Sequence, residues 1–211
     1  MTGIVSDNVG RTSGLIKAVS GGGDGVWTKI KTLTSDGSDS DLSFVDGTDD
    51  VVLDSTYPIY VFKFINIHPE TDNTNFSVNF SVDGGSNYNV AKTTTAFNSY
   101  HDEADSGADI YYDAGRDLAQ GTGIQYLTDD LGNDNDHCGS GGLYLFNPSS
   151  TTFVKHFISK VTYTGGSDVS YTLYVGGYGN TTSAIDAVQF SMDSGEIQGG
   201  KIKLYGIKDS A

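Results

Sequence analysis

The chain has 211 residues, with 27 acidic against 12 basic side chains, a formal net charge of −15 and 36% apolar residues. That length bounds it to one domain plus an appendage. The charge repels phosphate backbones and argues against nucleic-acid binding by the body, and no run approaches the ~20 apolar residues of a membrane span, so no membrane insertion is expected.

The first segment stands apart. Met1 to Gly23 carry Arg11 and Lys17 against Asp7, a net +1 in an acidic chain, and end in the run Gly21-Gly22-Gly23. They show no sustained apolar period. We read residues 1–24 as an extended docking arm with a glycine linker, and assign docking to Asp7, Asn8, Arg11, Leu15, Ile16 and Lys17. Leu15 and Ile16 are isolated, so the segment has no signal-peptide apolar core; synthesis and assembly in the cytoplasm are expected.

Residues 25–211 read as β throughout. Val26 to Leu33 is the first strand. Leu42 to Val45 and Val51 to Leu53 flank an Asp46-Gly47 turn. Ile59 to Ile67 (IYVFKFINI) is nearly continuous in apolar residues, as suits a strand buried on both faces. Asn75 to Asp83 alternates strictly: Phe76, Val78, Phe80 and Val82 face inward, and Ser77, Asn79 and Ser81 face water. Shorter strands are expected over Thr95 to Tyr100, Ile110 to Asp113 and Ile124 to Leu127, with a helical turn near Asp117 to Gln120. Gly142 to Phe146, Phe153 to Tyr163, Ser170 to Gly176, Ile185 to Met192 and Lys201 to Ile207 complete the set. The turn chemistry between strands is rich in Asp, Asn, Gly and Ser; Asn147-Pro148-Ser149-Ser150 is one such turn. The 24 Asp against 3 Glu place the charge on loops, because Asp favours turns where Glu favours helices. Roughly ten strands without a helical period predict an all-β fold, a jelly-roll-like two-sheet sandwich. Lys201 and Lys203 alternate with Ile202 and Leu204, a pattern that protects a sheet edge.

Chemistry-bearing motifs are weak. Cys138 is the single cysteine, so no intrachain disulfide forms. Leu127 to His137 is the densest polar run. Asn133, Asp134 and Asp136 could supply oxygen ligands to calcium, but the EF-hand spacing fails, with Cys138 at a ligand position and Gly139 after it. A solvated, internally hydrogen-bonded loop is the preferred reading, with calcium the alternative and no other cofactor expected. His101 sits beside Asp102, Glu103 and Asp105. In an extended chain neighbours point to opposite faces, so His101 and Asp102 do not converge on acid–base work. No nucleophile elbow, phosphate loop or zinc-hydrolase motif is present, and no enzyme activity is expected. Tyr57, Tyr60, Tyr88, Tyr100, Tyr111, Tyr112, Tyr126, Tyr144, Tyr171, Tyr174 and Tyr178 could build a sugar platform, though most tyrosines of a sandwich are half-buried strand residues.

The segments IYVFKFINIHPETDN, SYHDEAD, DLAQGT, GNDND, LYLFNPSSTTFVKHF and IKLYGI together resemble structural proteins of marine tailed bacteriophages, over about Thr56 to Ile207. The opening DNVGRTSGLIKA is similar to an N-terminal peptide that precedes differing distal domains in such proteins. The resemblance implies a virion component with a β-sandwich fold and carries over no catalytic or binding residue. The expected role is a structural protein anchored by its arm, as a tail fibre or host-attachment module. A capsid decoration or head-fibre protein and a carbohydrate-binding module are the alternatives. The expected partners are a tail adaptor, fibre or major capsid protein, further copies of the chain (a trimer by analogy with phage fibres), and a host surface glycan.

Overall fold

The computed structural model describes residues 27–208; the docking arm, with Asp7, Asn8, Arg11, Leu15, Ile16 and Lys17, lies outside them. Twelve strands run as β1 (Trp27–Thr34), β2 (Asp41–Val45), β3 (Ile59–Pro69), β4 (Phe76–Ser81), β5 (Lys92–Asp102), β6 (Ala108–Tyr112), β7 (Gln125–Tyr126), β8 (Gly139–Phe146), β9 (Lys155–Gly165), β10 (Val169–Gly179), β11 (Ala187–Met192) and β12 (Ile197–Ile207). They form an eight-stranded sheet, β1-β12-β3-β8-β9-β10-β5-β6, and a four-stranded sheet, β2-β11-β4-β7.

Eight of these strands make a jelly roll. Taken in chain order, the skeleton β1, β2, β3, β4, β7, β8, β11 and β12 pairs first with last, second with seventh, third with sixth and fourth with fifth. The pairs β1·β12, β2·β11, β3·β8 and β4·β7 are all antiparallel. This is the wrapped double Greek key that places four skeleton strands in each layer. Two hairpins are inserted into it. β5–β6 enters between β4 and β7, and β9–β10 between β8 and β11. They pair with one another through β10 and β5 and extend the larger sheet by four strands beyond β8.

The core lies between the two sheets. Phe44, Phe62, Phe64, Phe76 and Phe190 pack edge-to-face and stacked, with ring centroids 5.1–6.2 Å apart, and Phe80 meets Phe157 at 5.2 Å. Such offset geometries add to the area term of aromatic burial. The alternation in β9 shows why this sequence forms a half-wet strand: Phe157, Ser159, Val161 and Tyr163 are buried, and His156, Ile158, Lys160 and Thr162 are exposed.

Four sequence expectations need correction. Val51 to Leu53 is not a strand, although Val51 and Leu53 are buried. No helical turn forms over residues 117–120. Instead this stretch runs beside β5, where Thr94 N–H donates to Leu118 O and Lys92 pairs with Gly121. The face of β4 expected to be wet is buried, because loops cross it: Asn79 Nδ2 donates to Tyr88 O at 2.6 Å and to Thr122 O at 3.3 Å, while Ser77 Oγ donates to Ser191 O of the neighbouring β11 at 2.9 Å. Finally, β12 is not an edge. β1 pairs along it, so Lys201 and Lys203 stand in the interior of the sheet.

Candidate functional site

The register of the larger sheet determines what its outward face presents. One row crosses all eight strands: Thr32, Lys203, Lys63, Gly142, Lys160, Tyr174, Phe97 and Tyr112. The row on one side holds Lys29, Tyr205, Val61, Tyr144, Ile158, Gly176 and Thr95. On the other side, Ser140, Thr162, Thr172, Ser99 and Ile110 line up as a strip of hydroxyls ending in an aliphatic residue. None of these outward positions is Asp or Glu, in a chain with 27 acids. Five of its lysines (Lys29, Lys63, Lys160, Lys201 and Lys203) stand on this face.

The face is also apolar. Ile110 is 65% exposed, Tyr112 56%, Ile158 55% and Phe97 42%. Phe97 stacks on Tyr174 at 4.7 Å with nearly parallel rings. Trp27 meets Tyr205 and Tyr144 edge-on. Large contiguous apolar surface on a folded protein marks contact sites.

At the centre of the face lies a shallow concavity of about 360 Å³. Its floor is Gly142, whose lack of a side chain lets Lys63 lie across it, with Lys63 Cδ 3.2 Å and Nζ 3.6 Å from where a Cβ would stand. Lys63 Nζ lies 5.2 Å from the Trp27 ring centroid and 5.7 Å from that of Tyr144, and Lys160 Nζ lies 5.4 Å from that of Tyr174. These cation–π contacts orient the two ammonium groups, Lys63 toward Trp27 and Tyr144 and Lys160 toward Tyr174. Ile158 and Tyr144 form the apolar wall, and the Ser140 and Thr162 hydroxyls border the other side. The arrangement can take an anion together with an apolar ring face.

The other sequence candidates are placed elsewhere. His101 Nε2 meets Asp105 Oδ1 at 3.0 Å, and Asp102 accepts from Ser106 N–H and Oγ–H at 2.8 and 2.6 Å. The two side chains diverge, as strand alternation requires. Glu103 lines a second concavity with Asp102 and Asp168, an acidic one of about 450 Å³.

Of the calcium candidates, Asn133 braces its loop by donating to Glu70 O at 2.9 Å. Asp134 O accepts the His137 N–H at 2.8 Å. Among the described residues, the metal-capable side chains brought together are Asp134, His137 and Asp168, with ligand atoms within 4.8 Å; Asp136 is not one of them. His137 is buried, and its Nε2 is already 3.1 Å from Asp168 Oδ1. An imidazole nitrogen with two carboxylates suits a transition ion better than calcium, which takes oxygen ligands.

Sequence reasoning missed a further acidic group. Arg116 binds Asp129 and lies over the Tyr126 ring at 4.9 Å. Burial, and then the nearby Asp129 charge, raises the pKa of both Asp113 and Asp130. Asp129 N–H donates to Tyr163 OH at 2.8 Å, so this group ties the 113–130 loop onto β9. The outward face was also missed. Its lysines and aromatics come from eight strands spread over residues 27–205, and only the pairing register collects them.

Comparison with models of known protein families, with characterised proteins and with solved structures found no match to this chain.

Proposed function

We propose that the chain is a non-enzymatic structural component of a tailed-phage virion. Its N-terminal arm anchors it to the particle, and its jelly roll is displayed outward as a tail-fibre or host-attachment module. The observation that supports an attachment role is the outward face of the eight-stranded sheet. A surface of lysines and aromatics whose strand positions carry no carboxylate, with the loop residues Asp117 and Asp105 reaching Tyr112 and His101 at one edge, on a chain of net charge −15, is a surface kept for contact. The resemblance of the sequence to phage structural proteins supplies the particle. Self-association, as a trimer, belongs to the same proposal.

The test is incorporation and adsorption. Phage carrying the chain without residues 1–24 should lack the protein in purified particles. Phage carrying Phe97→Asp with Ile158→Asp should incorporate it and adsorb poorly to the host. Wild-type occupancy without the arm would overturn the anchoring role, and normal adsorption with the double substitution would overturn the attachment role. A capsid decoration protein is the second reading, favoured by the same displayed sandwich. Copy number separates the two: roughly 6 to 18 per particle for a tail module, hundreds for decoration.

A further inference from the structure

We propose that the concavity over Gly142 is a subsite for one ring of an anionic saccharide. Its carboxylate or sulfate would sit between Lys63 and Lys160, and its apolar ring face would rest against Ile158 and Tyr144. This rests on the reading of the outward face as a contact surface, and it does not require the chain to belong to a virion.

Four observations lead there. The volume of about 360 Å³ falls at the lower end of small-molecule sites and suits a single sugar ring rather than a protein loop. The lysines stand at the centre of the patch, whereas protein interfaces are depleted of lysine in their cores and carry it at the rim; a ligand that brings the negative charge to the centre is the better complement. Each ammonium lies over an aromatic ring, which offsets part of the rotamer freedom lost on binding. Outward hydroxyls border the lysines, with Thr162 Oγ1 and Thr172 Oγ1 already 3.0 Å apart; they can exchange hydrogen bonds with sugar hydroxyls.

Charge selects the length of the ligand. Beyond about 8 Å the chain's net charge is screened at physiological salt, so a short acidic saccharide meets the local lysines. A dense polyanion such as nucleic acid extends over the acidic loops and is repelled. Two lysines act as point charges and accept either anion chemistry; Arg would be expected for bidentate phosphate or carboxylate recognition.

The experiment is titration of the full chain, followed by amide NMR, with three probes: oligogalacturonate, a sulfated galactan oligosaccharide and a neutral dextran oligosaccharide. Either or both acidic probes should bind, and which one does identifies the anion. Shifts should centre on Tyr144, Ile158 and Lys160 and leave the Asp134 and Asp102 loops unmoved. Lys63→Gln with Lys160→Gln should weaken binding by about tenfold or more, and added salt should weaken the wild type alone. No binding of either acidic probe by folded protein at roughly 10 mM, far weaker than a useful site, would overturn the proposal. So would equal binding of dextran, or binding that the double variant leaves unchanged. If Lys63→Gln with Lys160→Gln instead dissolves a self-associated form seen by sedimentation, the occupant is a second copy. The saccharide proposal then fails, while the contact-surface reading stands on the adsorption test.

Discussion

Lys92 shows how far a buried charge can be held without a carboxylate. It is fully buried, and its Nζ donates to Asn79 Oδ1 at 2.6 Å and to Val90 O at 2.9 Å. Burial lowers its pKa to about 8. The unfolded chain therefore binds more protons than the folded one between pH 8 and about 10.5, and stability rises with pH across that window. Full protonation below pH 8 costs the fold roughly 3 kcal/mol relative to the neutral amine. Urea unfolding of the wild type and Lys92→Met at pH 7.5 and 10 checks this: stability should change less favourably with rising pH in the variant than in the wild type, the difference being the Lys92 contribution on top of that of Lys155, Cys138 and the buried tyrosines. Asp193 acts in the opposite sense. Burial opposes its ionisation, but Thr74 Oγ1–H, Asn75 N–H and Asn75 Nδ2–H all donate to it and lower its pKa. Its contribution is present at neutral pH and lost as pH falls through that lowered pKa. Asp193→Ala should cost about 1–2 kcal/mol at pH 7, the exposure of the carboxylate reducing the worth of its hydrogen bonds, measured by denaturant unfolding, and less in acid. Neither role was legible beforehand: Lys92 looks like an ordinary surface charge until loops fold over it, and Asp193 stays exposed but draws its donors from Thr74 and Asn75, distant in the chain.

Among the elements, strand content was the readable part. Alternation marked β4 and β12, and the continuous apolar run marked β3. The irregularities were not readable. β3 and β12 both break register, β12 around Gly199 and β3 between Phe64 and Ile67, and Asn66 and Gly200 face each other there with φ of 51° and 107°. A side chain on Gly200 would press on the Asn66 carbonyl. Gly200→Ala should therefore destabilise the protein by about 2 kcal/mol or more, read from the denaturant midpoint. The edge reading of Lys201 and Lys203 failed for a related reason. Alternating lysines look alike on an edge strand and on the wet face of a central one, and only the pairing of β1 with β12 tells them apart.

For the whole molecule, the body of residues 27–208 closes its own double-sheet core. Removal of residues 1–24 should therefore leave thermal stability within about 1 kcal/mol of the full chain, by calorimetry. The net charge acts at the same scale. Self-repulsion among the acidic loops opposes compaction and is screened by salt, so the melting temperature should rise between 10 mM and 0.2 M NaCl. A melting temperature that falls with salt would mean that ion pairs such as Arg116 with Asp129 outweigh the repulsion.

The sequence by itself determined the all-β class, most strand positions and the two-layer jelly-roll form, because side-chain alternation and turn residues are local signals. It also carried the charge that argues against a nucleic-acid partner. Tertiary structure alone decided that two inserted hairpins widen one sheet, that loops bury the polar side of β4, and that Lys63, Gly142 and Lys160 stand side by side. Those three residues are 18 to 97 positions apart in the chain. Their adjacency comes from long-range hydrogen-bond register, which no local pattern records.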